Sequence, residues 1–214
     1  MIYYLSKGLQ KKTIECETNF TIIKEIQMTF REVETPEQLM LFLDQNIEYG
    51  VIDKEGKRYC DSNSCEFQNV CNQEWQLRPV DKILEDGVGH CYDQVEIERE
   101  WFAQRGIEVK TFWISAYQEE IESSGFSHTY LLYKEGRVWK LFEHSDFFNR
   151  GIYAFDSIRN AVKWQATNQI RFAESCIQPL NKYVTCIKEF KKPPIGVNME
   201  QYLQFIDKSR DYVL

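Results

Sequence analysis

The stretch from Gly87 to Glu143 limits the possible folds of this chain more than any other. Asp86-Gly87-Val88-Gly89-His90-Cys91-Tyr92-Asp93 puts two glycines, which let the backbone turn tightly, just ahead of Gln94 to Gln104. That second segment consists of good helix formers and holds neither proline nor glycine. A turn leading straight into a helix is predicted, with Cys91 at the junction. Along the helix Val95, Phe102 and the Ile97, Trp101 pair recur near a 3.6-residue period, so this stripe is expected to bury against a sheet.

Two segments further along the chain supply that sheet. Ser127 to Tyr133 and Arg137 to Glu143 are rich in aromatic and branched residues, and Lys134-Glu135-Gly136 lies between them. A hairpin with a two-residue Glu135-Gly136 loop sets Lys134 opposite Arg137 and His128 opposite Glu143. Alternation then places His128, Tyr130 and Leu132 on one face together with Glu143, Leu141 and Trp139.

These positions suggest chemistry. Backbone N–H groups in the first turn of a helix have no intrahelical partner and carry partial positive charge, so a thiolate at Cys91 is stabilised there. A histidine within reach takes up the thiol proton, and a carboxylate beside the histidine fixes its tautomer and stabilises the imidazolium. Cys91, His128 and Glu143 are the candidate catalytic residues. Asp146 is the runner-up for the acid, although the same pairing sets it opposite Gly125. Upstream, Gln73, Trp75 and Gln76 are candidate side chains to hold an oxyanion together with the Cys91 N–H.

Four pieces of the sequence resemble the transglutaminase-like superfamily: Gly89-His90-Cys91-Tyr92-Asp93, the predicted strand Glu108 to Ser115, Ser127-His128-Thr129-Tyr130-Leu131-Leu132, and Trp139-Lys140-Leu141-Phe142-Glu143-His144-Ser145. The likeness is best from about Pro79 to Ser157 and is similar to the small bacterial or phage-encoded members. Transglutaminases usually carry aspartate as the third residue, where this chain offers Glu143. The resemblance implies the papain-like cysteine-protease fold, with the nucleophile helix packed on an antiparallel sheet. It also implies a thioester acyl-enzyme formed on a peptide or protein substrate. Water as acceptor gives a peptidase or amidase, which is the expectation here; an amine gives a transglutaminase. A non-catalytic peptide-binding module on the same fold is the alternative from a different class.

At 214 residues with 43% hydrophobic content the chain can bury one sizeable core, so 1–214 is read as a single domain, with 1–33 as a possible N-terminal extension. A net charge of −7 without a concentrated basic patch argues against nucleic acid. No apolar run approaches the roughly 20 residues of a membrane span, and no secretory leader is visible, so a cytoplasmic location is expected. Seven cysteines cannot all pair within one chain, which fits a reducing compartment. Cys60, Cys65 and Cys71 lack the paired CxxC spacing of zinc ribbons; they are read as free thiols or a loop disulfide, and neither metal nor cofactor is expected.

Elsewhere Thr35-Pro36-Glu37-Gln38 predicts a capped helix start leading to a helix that ends near Tyr49-Gly50. Ile14, Ile22, Ile23 and Ile26 suggest a short element, and Val51 to Cys71 reads as a polar loop. Pro79 begins a short helix. Phe155 to Gln169 reads as a helix with Ile158, Val162 and Gln165 on one face, followed by a strand over Tyr183 to Phe190 and a closing helix over Met199 to Ile206. The order of elements is that of an α+β protein.

Overall fold

The computed structural model describes residues 29–118, 121–176 and 182–214. The helices are α1 (Pro36–Asn46), α2 (Cys65–Gln73), α3 (Val80–Asp86), α4 (Cys91–Gln104), α5 (Ile158–Cys176) and α6 (Met199–Asp207). The strands are β1 (Val51–Ile52), β2 (Arg58–Tyr59), β3 (Val109–Gln118), β4 (Ile121–Glu135), β5 (Val138–Glu143), β6 (Gly151–Phe155), β7 (Tyr183–Phe190) and β8 (Arg210–Asp211). β1 and β2 form a small hairpin, and the other six strands make one antiparallel sheet in the order β6-β5-β4-β3-β7-β8. The architecture is α+β. Among the described residues no helix is long and apolar enough to cross a membrane. The short element suggested by Ile14 to Ile26 lies outside the described residues.

Both faces of the sheet are covered, because its strands alternate apolar residues on each side. On one face Phe112, Ile114, Tyr130, Leu132 and Leu141 meet Ala161, Val162 and Ala166 of α5. On the other, Leu131, Tyr133 and Phe142 pack with Trp101 and Phe102 of α4, and the Phe102 and Tyr133 rings stack 4.6 Å apart. Phe102 is fully buried, and truncating such a side chain costs about 3–5 kcal/mol. The expected apolar stripe of α4 is buried, and so are Asp93, Gln94, Glu96 and Glu98. The helix is central, covered by the sheet and by the segments around it, so its polar residues need internal partners. Val33 belongs to the same core, and its carbonyl accepts hydrogen bonds from Trp101 Nε1 at 3.1 Å and from Arg105.

The Thr35 cap forms as expected. Thr35 Oγ1 accepts from the Gln38 N–H, and Gln38 Oε1 accepts from the Thr35 N–H, each at 3.2 Å. α1 stops at Asn46 rather than near Tyr49, because Glu48 leaves to bridge to Val88 in the turn ahead of Cys91. Val51 to Cys71 is not a plain loop: it holds β1, β2 and the start of α2, which is capped by Ser64 and buries Phe67 and Val70. The segment from Phe155 also differs, since Phe155 closes β6 by pairing with Trp139 and the helix begins at Ile158.

The hairpin register differs from the expected one by two residues. Glu135 pairs with Val138 and Leu131 with Phe142, so the two-residue loop is Gly136-Arg137. Gly136 has φ +60° and Arg137 does not have a positive φ, so glycine occupies the first central position, as a type II′ turn requires. His128 therefore does not lie directly opposite Glu143. Extending the register puts Glu143 opposite Tyr130 and makes it a diagonal neighbour of His128 on the same face, since a slip of two preserves side-chain parity.

Candidate active site

The turn that presents Cys91 is pinned on several sides. Gly87, at φ +63°, closes α3 in the left-handed conformation that glycine adopts without strain. A Cβ on Gly89 would lie 2.8 Å from the Asp93 Cβ, so only glycine allows this approach of turn and helix. The Gly89 carbonyl accepts from Gln94 Nε2 at 2.8 Å, and Gln94 Oε1 accepts from His144 Nδ1 at 2.6 Å. His144 in turn meets Asp44 at 3.1 Å. The chain after β5 is thereby tied to the turn before Cys91.

Cys91, His128 and Glu143 come together. Cys91 is the first residue of α4 and is 5% exposed. His128 Nε2 donates to Glu143 Oε2 at 2.8 Å, and both residues are buried. The other imidazole nitrogen remains for the Cys91 thiol, whose pKa His128 lowers. The Thr129 N–H also lowers the thiol pKa. Its availability follows from the strand pattern: the Lys134 N–H points to β3, so odd-numbered N–H groups of β4 point the other way. The last observed β4–β5 pair is Leu131 with Phe142, so β4 has an open edge at Thr129.

The charges support one another. Burial pushes the Cys91 thiol up, but the His128 hydrogen bond and the positive charge of His90 and His128 outweigh it, and its pKa is lowered. Burial likewise opposes charge on His128, yet the Glu143 carboxylate and the Cys91 sulfur outweigh that and hold its pKa well above the usual imidazole range. Both shifts favour the thiolate–imidazolium form of the pair.

Glu143 is itself held in place. Its Oε1 accepts from the Asp146 N–H at 2.9 Å, and its Oε2 accepts from Gln165 Nε2 at 3.3 Å as well as from His128. Asp146, the runner-up acid, accepts hydrogen bonds from the Phe148 and Asn149 N–H groups and from Asn149 Nδ2, while its own N–H donates to Glu143. Gln165 is a fully buried residue of α5 that sequence reasoning places on the helix face without assigning it a role. A signal for that role exists in the pattern: an amide at helical spacing from Ala161 and Val162 needs a buried partner.

Of the three oxyanion candidates, Trp75 is committed elsewhere, since its Nε1 donates to Asp93 Oδ2 at 3.0 Å. Gln73 closes α2 and Gln76 bridges to Asn198, and both are exposed. Tyr49 is a site residue that the sequence does not flag; burial first and then the neighbouring Cys91 raise the pKa of its hydroxyl. Cys60, Cys65 and Cys71 are free thiols. Among the described residues no group of three or more His, Cys, Asp or Glu side chains is arranged to hold a metal ion.

The arrangement has the parts for covalent acyl transfer: a thiolate at a helix N-terminus, a histidine to move a proton, and an acid that orients the histidine. In comparisons with known proteins, no family model matched the chain and no curated sequence matched it at a significant level.

Proposed function

We propose that this chain is a thiol-dependent acyl-transfer enzyme of the transglutaminase-like kind on a papain-like fold, most simply a cysteine peptidase or amidase. The observation that carries the reading is the line from the Cys91 thiol through His128 to Glu143, with Glu143 2.8 Å from Nε2 and the remaining ring nitrogen left to the sulfur. Cys91 sulfur attacks an amide or ester carbonyl, His128 delivers its proton to the leaving group, and a thioester remains on Cys91. The Thr129 N–H and the first turn of α4 lie at the sulfur, where negative charge is shed as the bond forms.

Hydrolysis is the favoured fate because water is always present, whereas an amine acceptor needs a site of its own. The experiment offers glutamine-containing peptides and simple activated esters, with and without a primary alkylamine, and follows products by mass spectrometry. The reading expects free acid at a rate that vanishes in Cys91→Ala. Amine adducts with little free acid would make the enzyme a transglutaminase; no product above the Cys91→Ala background would remove the enzymatic reading. The 5% exposure of Cys91 favours the second reading, a peptide-binding module on the same fold. That module would bind peptides equally well with Cys91 replaced.

A further inference from the structure

His90 lies one residue before Cys91 and is built like His128. Its Nδ1 is 2.8 Å from Asp93 Oδ2, and its backbone N–H reaches the same oxygen at 3.3 Å. The Asp93 carboxylate is fully buried, fixed by Trp75 Nε1 at 3.0 Å and flanked by Arg78 Nη2 at 3.8 Å. The imidazole is 3% exposed and packs against the rings of Trp75 and Tyr92, with centroids 4.9 and 4.8 Å away.

Its other nitrogen, Nε2, is buried without a nitrogen or oxygen partner, and the Cys71 thiol is its neighbour. The groups that face the ring are Asp93, with Arg78 behind it, the thiols of Cys71 and Cys91, and Tyr92. Asp93 is the carboxylate in contact with the ring, and it outweighs the burial that disfavours the imidazolium. Two imidazole–carboxylate pairs therefore adjoin Cys91: His128 with Glu143 on the sheet, and His90 with Asp93 at the start of α4.

We propose that His90, fixed by Asp93, is a second histidine of the site, whose positive charge sustains the Cys91 thiolate independently of His128, while His128 alone moves the proton. The proposal rests on the reading of Cys91 as the nucleophile. It separates two properties that a single histidine would lose together. Thiolate content is shared between the rings, and acyl turnover depends on His128.

The test measures iodoacetamide alkylation of Cys91 against pH, located by peptide mass spectrometry, in the wild type, His90→Gln, His128→Ala and the double variant. Ester turnover is followed in parallel. At pH 6, His128→Ala is expected to retain alkylation within about tenfold of wild type, and His90→Gln to lose about tenfold. The double variant should lose about a hundredfold, while turnover is abolished in His128→Ala. Asp93→Asn, which conserves shape, should reproduce His90→Gln if that variant folds poorly. A profile that collapses fully in His128→Ala, with no effect of His90→Gln or Asp93→Asn, overturns the proposal and leaves the enzyme intact. A wild-type profile that rises only above pH 8 overturns both.

Discussion

Replacing Glu143 by glutamine removes one charge and almost no volume, so it isolates the electrostatic part of the site. In the wild type the carboxylate meets His128 Nε2 at 2.8 Å in a buried setting. Charge centres about 4 Å apart at an effective dielectric near 20 interact by about 4 kcal/mol. Glutamine keeps a hydrogen bond worth about 1 kcal/mol, leaving a loss of about 3 kcal/mol for the imidazolium, or about two powers of ten in rate. A second effect adds to it. Glu143 Oε1 accepts from the Asp146 N–H, so the glutamine carbonyl is drawn there and its NH2 is turned toward His128. That arrangement selects the tautomer with its lone pair on Nε2 and its proton toward sulfur, the wrong one for a base; the equivalent error in a serine-protease triad costs about 10⁴. Turnover of a peptide amide at pH 7, which needs His128 to protonate the leaving amine, should fall between about 10² and 10⁴-fold, read as free acid by mass spectrometry. Circular dichroism should show the fold retained. A fall of less than tenfold in a folded variant would refute the assignment of Glu143.

Gln165→Leu removes the 3.3 Å bond to Glu143 and should cost about 1 kcal/mol, seen as a roughly fivefold slower acylation with a small change in melting temperature. Glu98 is buried, and burial first and then the neighbouring Glu143 charge hold its pKa well above 4.5. Its folded value is raised, so the group's contribution is fully present below pH 4.5 and is lost as pH rises toward the folded value. Glu98→Gln should therefore raise the melting temperature at pH 8 more than at pH 5, by about 2–4 °C for each kcal/mol. Gly136→Val forces a branched residue into φ +60° in the turn and should destabilise by about 1–2 kcal/mol, whereas Gly136→Asn should cost less; denaturant unfolding distinguishes them.

How much the sequence reveals depends on the range of the interaction involved. The α1 cap is legible because Thr35, Pro36 and Gln38 are local partners, and β7 is legible because it opens on Tyr183 to Ile187, a run of aromatic, branched and small apolar residues. The hairpin register is not, since Gly136 suits either central position of a two-residue turn, and which one it takes depends on how Val138 to Glu143 packs on β4 and β6. The His128–Glu143 contact is found all the same, because the slip is even. α2 is obscured by the polar residues around Phe67 and Val70, whose burial depends on distant segments. Gln165, the Thr129 N–H and the His90–Asp93 pair become site features only through tertiary placement; the Trp75 indole, free as read from sequence, is committed to Asp93 for the same reason.

The most direct measurement is acid-quenched peptide mass spectrometry after brief exposure to p-nitrophenyl acetate at pH 7, in the wild type and in His128→Ala. The account predicts one acetyl group on the Cys91 peptide, released by hydroxylamine as a thioester is, and persisting in His128→Ala, which keeps the thiolate but loses the turnover that removes the group. Acetylation spread over Cys60, Cys65 and Cys71 in proportion to their exposure, with Cys91 unmodified, would contradict it.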